Sequence, residues 1–447
     1  MSDTIPHILI ICPSMWPRMN SWGETQRMYY LAGFLSRNGW RVSTLSPAFD
    51  PPENSASREM AYESHYLGER RRPENGVSGE PGRADGSALS SGSRRMISAA
   101  LAALAPAVQW LYNEPDCYEG ISKELWILRY RKRIHRFLAE NGVDLVLISA
   151  PAFALFRLGK LIKKKRPDLP VIYDYRDPWH LWNLHRDFAY RKEQNCLKYA
   201  DGIVGFSDIF IKEMIRTFRL PPERCAAVYN GYSEADWTAF EAASHASPAI
   251  SPGKRREKLR LTFAGNISLA DSAGNFRNPS GLIRAVKNYP EIECRFIGVR
   301  GQKAGTWEEN VRYVGNVSQA ESFAYMSDSD VLVSIHHDGS DCSGKYLISG
   351  KFYDYIRSGR VIWHIGAPDS LMSGWIERYR LGIACANDPA SLDSTLRTLL
   401  DLWRDGKLDS LRSCPVKSAR RFSREYQNRR YLNFIHTIKN ITDEEEN

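Results

Sequence analysis

The sequence predicts an α/β protein built as two doubly wound, Rossmann-like domains, and three observations predict it. Short apolar runs without period-two alternation recur along the chain, the pattern of parallel strands covered on both faces. Helical stretches separate these runs, and strand-helix-strand alternation implies right-handed crossovers and an open parallel sheet. The chain has 447 residues, too many for one core, and its alternation stops near the middle and then restarts.

Residues 7–12, His-Ile-Leu-Ile-Ile-Cys, form the first expected strand. A helix over 24–37 should follow and stop at Asn38-Gly39, a sequence suited to ending one. Further strands are expected at 41–45, 143–149, 171–175, 202–207 and 225–229, completing a first domain over 1–238. Within it, residues 52–95 are rich in Gly, Ser, Pro and charge, and are expected as a disordered insertion because they cannot bury enough apolar area. Residues 239–258 read as a linker. The second domain, 259–417, should hold strands at 259–264, 293–297, 331–335, 361–365 and 383–386. Ser318-Gln319-Ala320-Glu321 is a capping box, and Asp388-Pro389 places an N-cap before a proline at the first helical position. Residues 418–447 read as basic, aromatic helix able to pack back on the first domain.

The formal net charge is +9, which favours anionic partners without choosing among them. The eight cysteines stand singly with no C-x-x-C pair, so neither a zinc site nor a redox pair is indicated. Residues 1–6 lack the basic flank and apolar core of a secretory signal, so a reducing cytoplasm is the expected compartment. Residues 94–112 are too short and too broken by Pro106 to span a bilayer, but could lie on its inner face. Beside them, Arg129, Arg131, Lys132, Arg133 and Arg136 make a basic helix, either a solvated face or a peripheral membrane contact. The dispersed basic residues match no recognised nucleic-acid module, and nucleic acid is not expected as a partner.

Three groups stand at expected strand ends, where α/β folds bind ligands. Trp22-Gly23-Glu24 precedes the first helix; the glycine permits close approach and the helix N-terminus suits an anion, although a turn needs the same glycine. Asp174-Tyr175-Arg176-Asp177-Pro178-Trp179-His180 ends the 171–175 strand, with ionisable groups for a sugar hydroxyl or leaving group and aromatic faces for a sugar ring. Its bland reading is an internal Arg176–Asp177 ion pair. The third group is Gly339 to Tyr346 followed by Ser349 to Arg360. It nearly spells the phosphate-cradling G-x-x-x-x-G-K-[ST], but Tyr346 stands where the magnesium-binding hydroxyl should be. What survives is a pair of lysines, Lys345 and Lys351, with glycines at a helix start. Asp328-Ser329-Asp330 precedes a strand and reads as turn chemistry, not a metal motif. His336-His337-Asp338 does not make a metal centre, because neighbours on a strand point opposite ways.

Together these fragments resemble the GT-B glycosyltransferases, and within them glycosyltransferase family 4, over most of the chain outside 51–141. The glycine loop of that family looks like Trp22-Gly23-Glu24, and its D-x-R-D-x-W segment resembles 174–179. Its A-D-x-[IV]-[IV]-x-x-S segment appears at 200–207, and its N-G hinge at Asn230-Gly231. Its F-x-G loop appears as Phe263-Ala264-Gly265-Asn266, and K-x-x-[ED]-Y-x-x-x-G-[RK] matches 351–360. The resemblance implies two domains facing a central cleft, a nucleoside-diphosphate sugar as co-substrate on the second and a sugar or lipid-linked acceptor on the first. Transfer would retain anomeric configuration without a metal. Gly23, Gly265, Asn266, Arg277, Lys345, Lys351 and Asp354 would bind the donor, with Asp354 on its ribose. Asp177, Arg176 and Lys351 would carry the chemistry, and Trp22, Trp179 and His180 would meet the acceptor, such as a polysaccharide or glycoconjugate precursor.

Two departures stand out. Where the family often has an acidic residue eight positions before Asp354, this chain has Tyr346. The usual Arg and Lys after the Gly265 loop are absent from their spacing, and Arg277 is the nearest substitute. A non-catalytic binding or regulatory module of the same fold therefore stays open, as does a nucleotide-sugar epimerase.

Overall fold

The computed structural model describes residues 5–18, 22–47, 60–67, 117–182, 186–245, 257–265, 278–298, 305–336 and 346–445. These fall into two compact units, Met1–Val228 with Asn428–Asn447, and Tyr229–Gln427.

In chain order the first unit holds β1 (His7–Ile11), α1 (Trp22–Arg37), β2 (Arg41–Ser46), β3 (Glu63–Tyr66), α2 (Cys117–Glu140), β4 (Leu145–Ala150) and α3 (Arg157–Lys163). It continues with β5 (Val171–Tyr175), α4 (Arg186–Leu197), β6 (Gly202–Gly205), α5 (Asp208–Phe218) and β7 (Cys225–Ala227). Its seven strands run in the order β3-β2-β1-β4-β5-β6-β7, all parallel. The order reverses between β1 and β4, and there the loops leaving the strand C-termini part. The apolar runs expected as strands are buried along their length in β1, β4 and β5.

The second unit holds α6 (Glu234–His245), β8 (Leu259–Ala264), α7 (Ser280–Val286), β9 (Ile292–Ile297), β10 (Gly305–Glu308), β11 (Val311–Gly315), α8 (Gln319–Ser327) and β12 (Val331–Ile335). Then come α9 (Gly350–Ser358), β13 (Val361–Ile365), α10 (Leu371–Arg378), β14 (Gly382–Cys385), α11 (Pro389–Arg404), α12 (Val416–Arg420) and the first turn of α13 (Arg424–Glu445). Its sheet order is β10-β11-β9-β8-β12-β13-β14, parallel except for the β10–β11 edge pair, with the reversal between β8 and β12. The expected capping box is formed: the Ser318 hydroxyl accepts from the Glu321 amide and Glu321 accepts from the Ser318 amide.

Three expectations need correction. Residues 63–66, inside the insertion expected to be disordered, form β3, paired in parallel with β2 from Ser43↔Glu63 to Ser46↔Tyr66. Its residues Glu-Ser-His-Tyr are polar, so composition hides an edge strand anchored by the Tyr66 hydroxyl, which donates to the Met15 carbonyl at 3.3 Å. Most of the remaining insertion lies outside the described residues. The β10–β11 hairpin was also not expected; β11 alternates buried Val311 and Tyr313 with exposed Arg312, the signature of a strand covered on one face, and β10 forms the sheet edge beyond it. Finally, the first unit ends at Val228, ahead of the expected boundary at 238. Helix α6, which takes in 239–245, belongs to the second unit because Trp237 is buried there, stacked on Phe323 with ring centroids 4.2 Å apart.

From Asn428 onward α13 belongs to the first unit. Tyr431, Phe434, Ile435 and Ile438 join Ile8, Leu145 and Val204 in one apolar core. Gly202 is required by this packing, since a Cβ there would lie 2.8 Å from Ile438 Cγ1. At the Asn230-Gly231 hinge, Gly231 adopts φ +71°, and a Cβ would meet the Phe422 carbonyl at 2.8 Å. Tyr232 and Ser423 bridge there in parallel, so the two chain segments joining the units are tied side by side within the second.

Candidate functional site

In the first unit the D-x-R-D segment divides its labour. Asp174, fully buried at the end of β5, is a structural carboxylate. Arg27 of α1 donates to it through Nη2 at 2.8 Å and Nε at 3.1 Å. The Ser149 hydroxyl of β4 donates at 2.8 Å, and the Tyr431 hydroxyl of α13 at 3.1 Å. Arg27 also donates to the Val228 carbonyl at 2.9 Å. Burial, then the neighbouring Asp174 charge, keeps the Tyr431 hydroxyl protonated far above the usual phenol range. A buried ion pair satisfied on this many sides holds its elements in one arrangement, and removing one partner strands the other charge.

Two residues on, Arg176 clasps the strand-end loops. Its guanidinium donates to the Pro151 carbonyl after β4 at 2.6 Å and to the Glu24 carbonyl in the first turn of α1. The Glu24 carboxylate stands 4.0 Å away. The segments leaving β1, β4 and β5 are thus drawn together at the switch point, with half-buried Asp177 next in sequence. Beside the Arg176–Asp177 pair that the sequence suggested, Arg176 thus makes a longer-range clasp. Helix α1 starts at Trp22, so Gly23 and Glu24 lie in its first turn and not in a preceding loop. Gly23 has no positive φ, and a Cβ there would meet nothing within 4 Å. The fold itself does not demand a glycine at that position.

Trp179 and His180 sit inside the first unit's core rather than on a surface. Trp179 stacks on Phe153 with centroids 5.1 Å apart and planes 4° from parallel. His180 Nδ1 lies 2.7 Å from the Glu193 carboxylate, itself fully buried, and Phe218 meets the imidazole edge to face. The aromatics that suggested sugar faces are spent on packing. The side chain of Trp22 lies outside the described residues.

In the second unit the strand ends around the β8/β12 switch point are pared to glycine. Gly265, at φ +145°, ends β8 and donates to the Ile297 carbonyl at 2.9 Å; Gly298, at φ +86°, ends β9 and donates to the Gly315 carbonyl at 2.7 Å. A Cβ on Gly298 would lie 3.5 Å from the Gly265 nitrogen, so the two lie back to back. Helix α9 is fastened to the same strand end: the Ala264 amide donates to the Tyr355 hydroxyl at 2.7 Å. Phe352, Tyr353, Tyr355 and Ile356 bury one face of α9 and leave Lys351 and Asp354 on another, three positions apart.

Trp237 Nε1 donates to Asp354 Oδ1 at 3.3 Å. Burial raises the Asp354 carboxyl above the ordinary range; the Lys351 and Arg424 charges and the Trp237 hydrogen bond work in the opposite direction. Asp354 is therefore a half-buried carboxyl whose charged form burial disfavours, with the charges of Lys351 and Arg424 offsetting only part of that effect. Neither Trp237 nor Arg424 was found from sequence. A buried Trp and an Arg at a helix start carry no local mark of an association spanning 117 residues. Asn266, Arg277 and Lys345 lie outside the described residues, as do His337 and Asp338.

The D-x-D at 328–330 is turn chemistry, as expected. Asp328 accepts from Arg260 Nη1 and Arg295 Nη1, each at 2.8 Å to Oδ2, and Asp330 accepts from the Arg260 amide at 2.8 Å. This cluster stands before β12, at the end opposite the glycines. His364, fully buried on β13, lies 3.3 Å from the Ser334 hydroxyl and 3.4 Å from that of Ser370. Burial, then nearby His336, pushes its pKa down to about 3. Among the described residues, no group of three or more His, Cys, Asp or Glu is arranged to hold a metal ion.

The Glycosyltransferase Family 4 model matches residues 106–235. Among solved structures, the N-terminal domain of the trehalose-6-phosphate phosphatase of Candida albicans is similar at TM-score 0.60 and 12% identity, covering 98% of each chain. HepE of Anabaena, solved in complex with UDP and glucose, is similar at TM-score 0.55 and 13% identity, covering 96% of this chain and 99% of that one. No curated protein sequence matches. At these identities the structural likeness is one of fold: a GT-B arrangement of two Rossmann-like units.

Proposed function

We propose that this chain, whose fold is GT-B and whose 106–235 segment resembles glycosyltransferase family 4, moves a sugar from a nucleoside-diphosphate sugar to an acceptor. The observation that carries the proposal is the α9 site of the second unit: Asp354, which accepts from Trp237, shares a helix face with Lys351, and the helix is fastened through Tyr355 to the strand end that leads into Gly265, back to back with Gly298. Burying a charge costs stability unless it is paired, so a carboxyl kept there against that cost marks a candidate functional site. A ribose diol would give Asp354 two donors, Lys351 would meet the diphosphate, and the glycines would let backbone approach the nucleotide. Asn266, Arg277 and Lys345 complete the proposed donor set. HepE was solved with UDP and glucose, a ligand class in keeping with this reading.

Departure of a nucleoside diphosphate builds negative charge on the leaving oxygen. A fixed cation offsets it, and one preorganised donor of this kind lowers the barrier by roughly 3 kcal/mol, about a hundredfold in rate. Lys351 takes that role. In the first unit Asp177 is the side chain proposed to meet the transferred sugar, with Arg176 holding its loop. Gly23 leaves room at the start of α1 for a phosphate. The proposed reaction retains anomeric configuration and needs no metal. Release of nucleoside diphosphate from a panel of nucleotide sugars, with and without candidate saccharide and lipid-linked acceptors, tests the reading. Acceptor-dependent release that falls about a hundredfold in Lys351→Ala supports it. Isomerised nucleotide sugar without acceptor, or no product from any donor, overturns it.

A further inference from the structure

Helix α2 shows solvent a face that packing does not explain. Trp126, Ile127, Tyr130, Ile134 and Leu138 form its buried side. On the other side Leu125 and Leu128 are 60% and 56% exposed, followed by exposed Lys132 and Arg136 at successive turns. Exposed Arg129, Arg131 and Arg133 flank this stripe. From 125 to 139 the sequence has five cations and no carboxylate.

The positive field continues past α3, where Lys164 and Lys165 are exposed. Burial and then the charge of Lys165 hold His135 of α2 below the usual imidazole range. Carboxylates near α3 are engaged elsewhere: Asp168 with Arg166 at 2.7 Å and Asp201 with Lys163 at 2.8 Å.

A single exposed leucine needs no explanation. Two of them one turn apart, leading into a stripe of cations, match a helix that rests in a lipid headgroup layer. A soluble polyanion would engage the cations but gain nothing from the leucines. We propose that this face of the first unit docks on an anionic bilayer, with Leu125 and Leu128 at the acyl boundary and Lys132 and Arg136 on lipid phosphates. The proposal concerns this unit alone and holds whether or not the protein transfers a sugar. Among the described residues no helix is long and apolar enough to cross a membrane, so the contact would be peripheral.

The test is flotation of the full chain with vesicles of phosphatidylcholine, with and without phosphatidylglycerol, at low and high salt. Binding should need phosphatidylglycerol and weaken with salt. Each cation near the surface changes partitioning roughly fivefold, so Lys132→Gln with Arg136→Gln should weaken it on the order of thirtyfold. Leu125→Ser with Leu128→Ser should weaken it on the order of a hundredfold. Both pairs replace exposed side chains, and an unchanged melting midpoint separates lost docking from lost folding. Absence of binding to phosphatidylglycerol vesicles overturns the proposal. So does wild-type binding by either variant; loss confined to the cation variant would mark a polyanion site instead.

Discussion

Replacing Arg27 by methionine should destabilise the first unit more than any surface change. Methionine keeps most of the side chain's length but none of its donors. Asp174 would lose the Nε and Nη2 bonds and keep only Ser149 and Tyr431, two neutral donors, around a fully buried carboxylate. Leaving one member of a buried ion pair without the other costs roughly 3–5 kcal/mol. Asp174→Asn in the same background removes the stranded charge, so the double variant should cost no more than Arg27→Met alone. The coupling between the two sites should reach about 2 kcal/mol. Chemical denaturation followed by the near-ultraviolet signal of the first unit's buried Trp40, Trp126 and Trp179 measures this. A loss under about 1 kcal/mol for Arg27→Met, or additive effects in the double variant, would refute the claim that this pair holds β5 and α1 in place.

Tyr431→Phe removes one bond to the same charge and should cost about 1.5–3 kcal/mol, read by the same denaturation. Asp354→Asn should leave the melting midpoint unchanged or raise it while abolishing nucleotide-induced stabilisation. Because burial raises the Asp354 pKa, its destabilising effect grows as pH climbs through the ordinary carboxylate range to that raised value, so the amide's advantage should be larger at pH 7 than at pH 4. His364 has the opposite sign. With its folded pKa near 3, stability is full above the ordinary imidazole value and falls on acidification by about 1.4 kcal/mol per pH unit. Melting curves of His364→Gln between pH 7 and 5 should therefore be flatter than wild type; an equal slope would contradict the assignment. Asp328→Asn should lower the midpoint, by about 1–3 kcal/mol for the lost Arg260 and Arg295 bonds, yet leave nucleotide binding unaffected.

What the sequence made legible was whatever a local run can carry. The apolar run of β1 and the strand 171–175 could belong to little else, and both sheets were visible in such runs. Lys351 to Arg360 marked the α9 site because helix, cation and carboxylate stand in one segment. Asp174 was recognised as part of a charged cluster, but its role depends on Arg27, 147 positions earlier, and Tyr431, 257 positions later. No local pattern connects these. The burial of Trp179 and His180 was hidden for a related reason: an aromatic segment looks alike facing a sugar or facing Phe153 and Glu193. The polar edge strand β3 was lost because composition averages over 52–95, whereas an edge strand needs only a ladder of hydrogen bonds on one side.

The most direct measurement of the central claim is the melting midpoint of the protein against UDP, GDP, ADP, TDP and CMP, beside Asp354→Ala. A nucleotide at about a hundred times its dissociation constant adds about 2.7 kcal/mol of stability, a shift of several degrees. The account predicts that one nucleoside diphosphate raises the wild-type midpoint by that amount and leaves the Asp354→Ala midpoint unmoved. No shift with any nucleotide, or an equal shift in the variant, would contradict a donor site at α9.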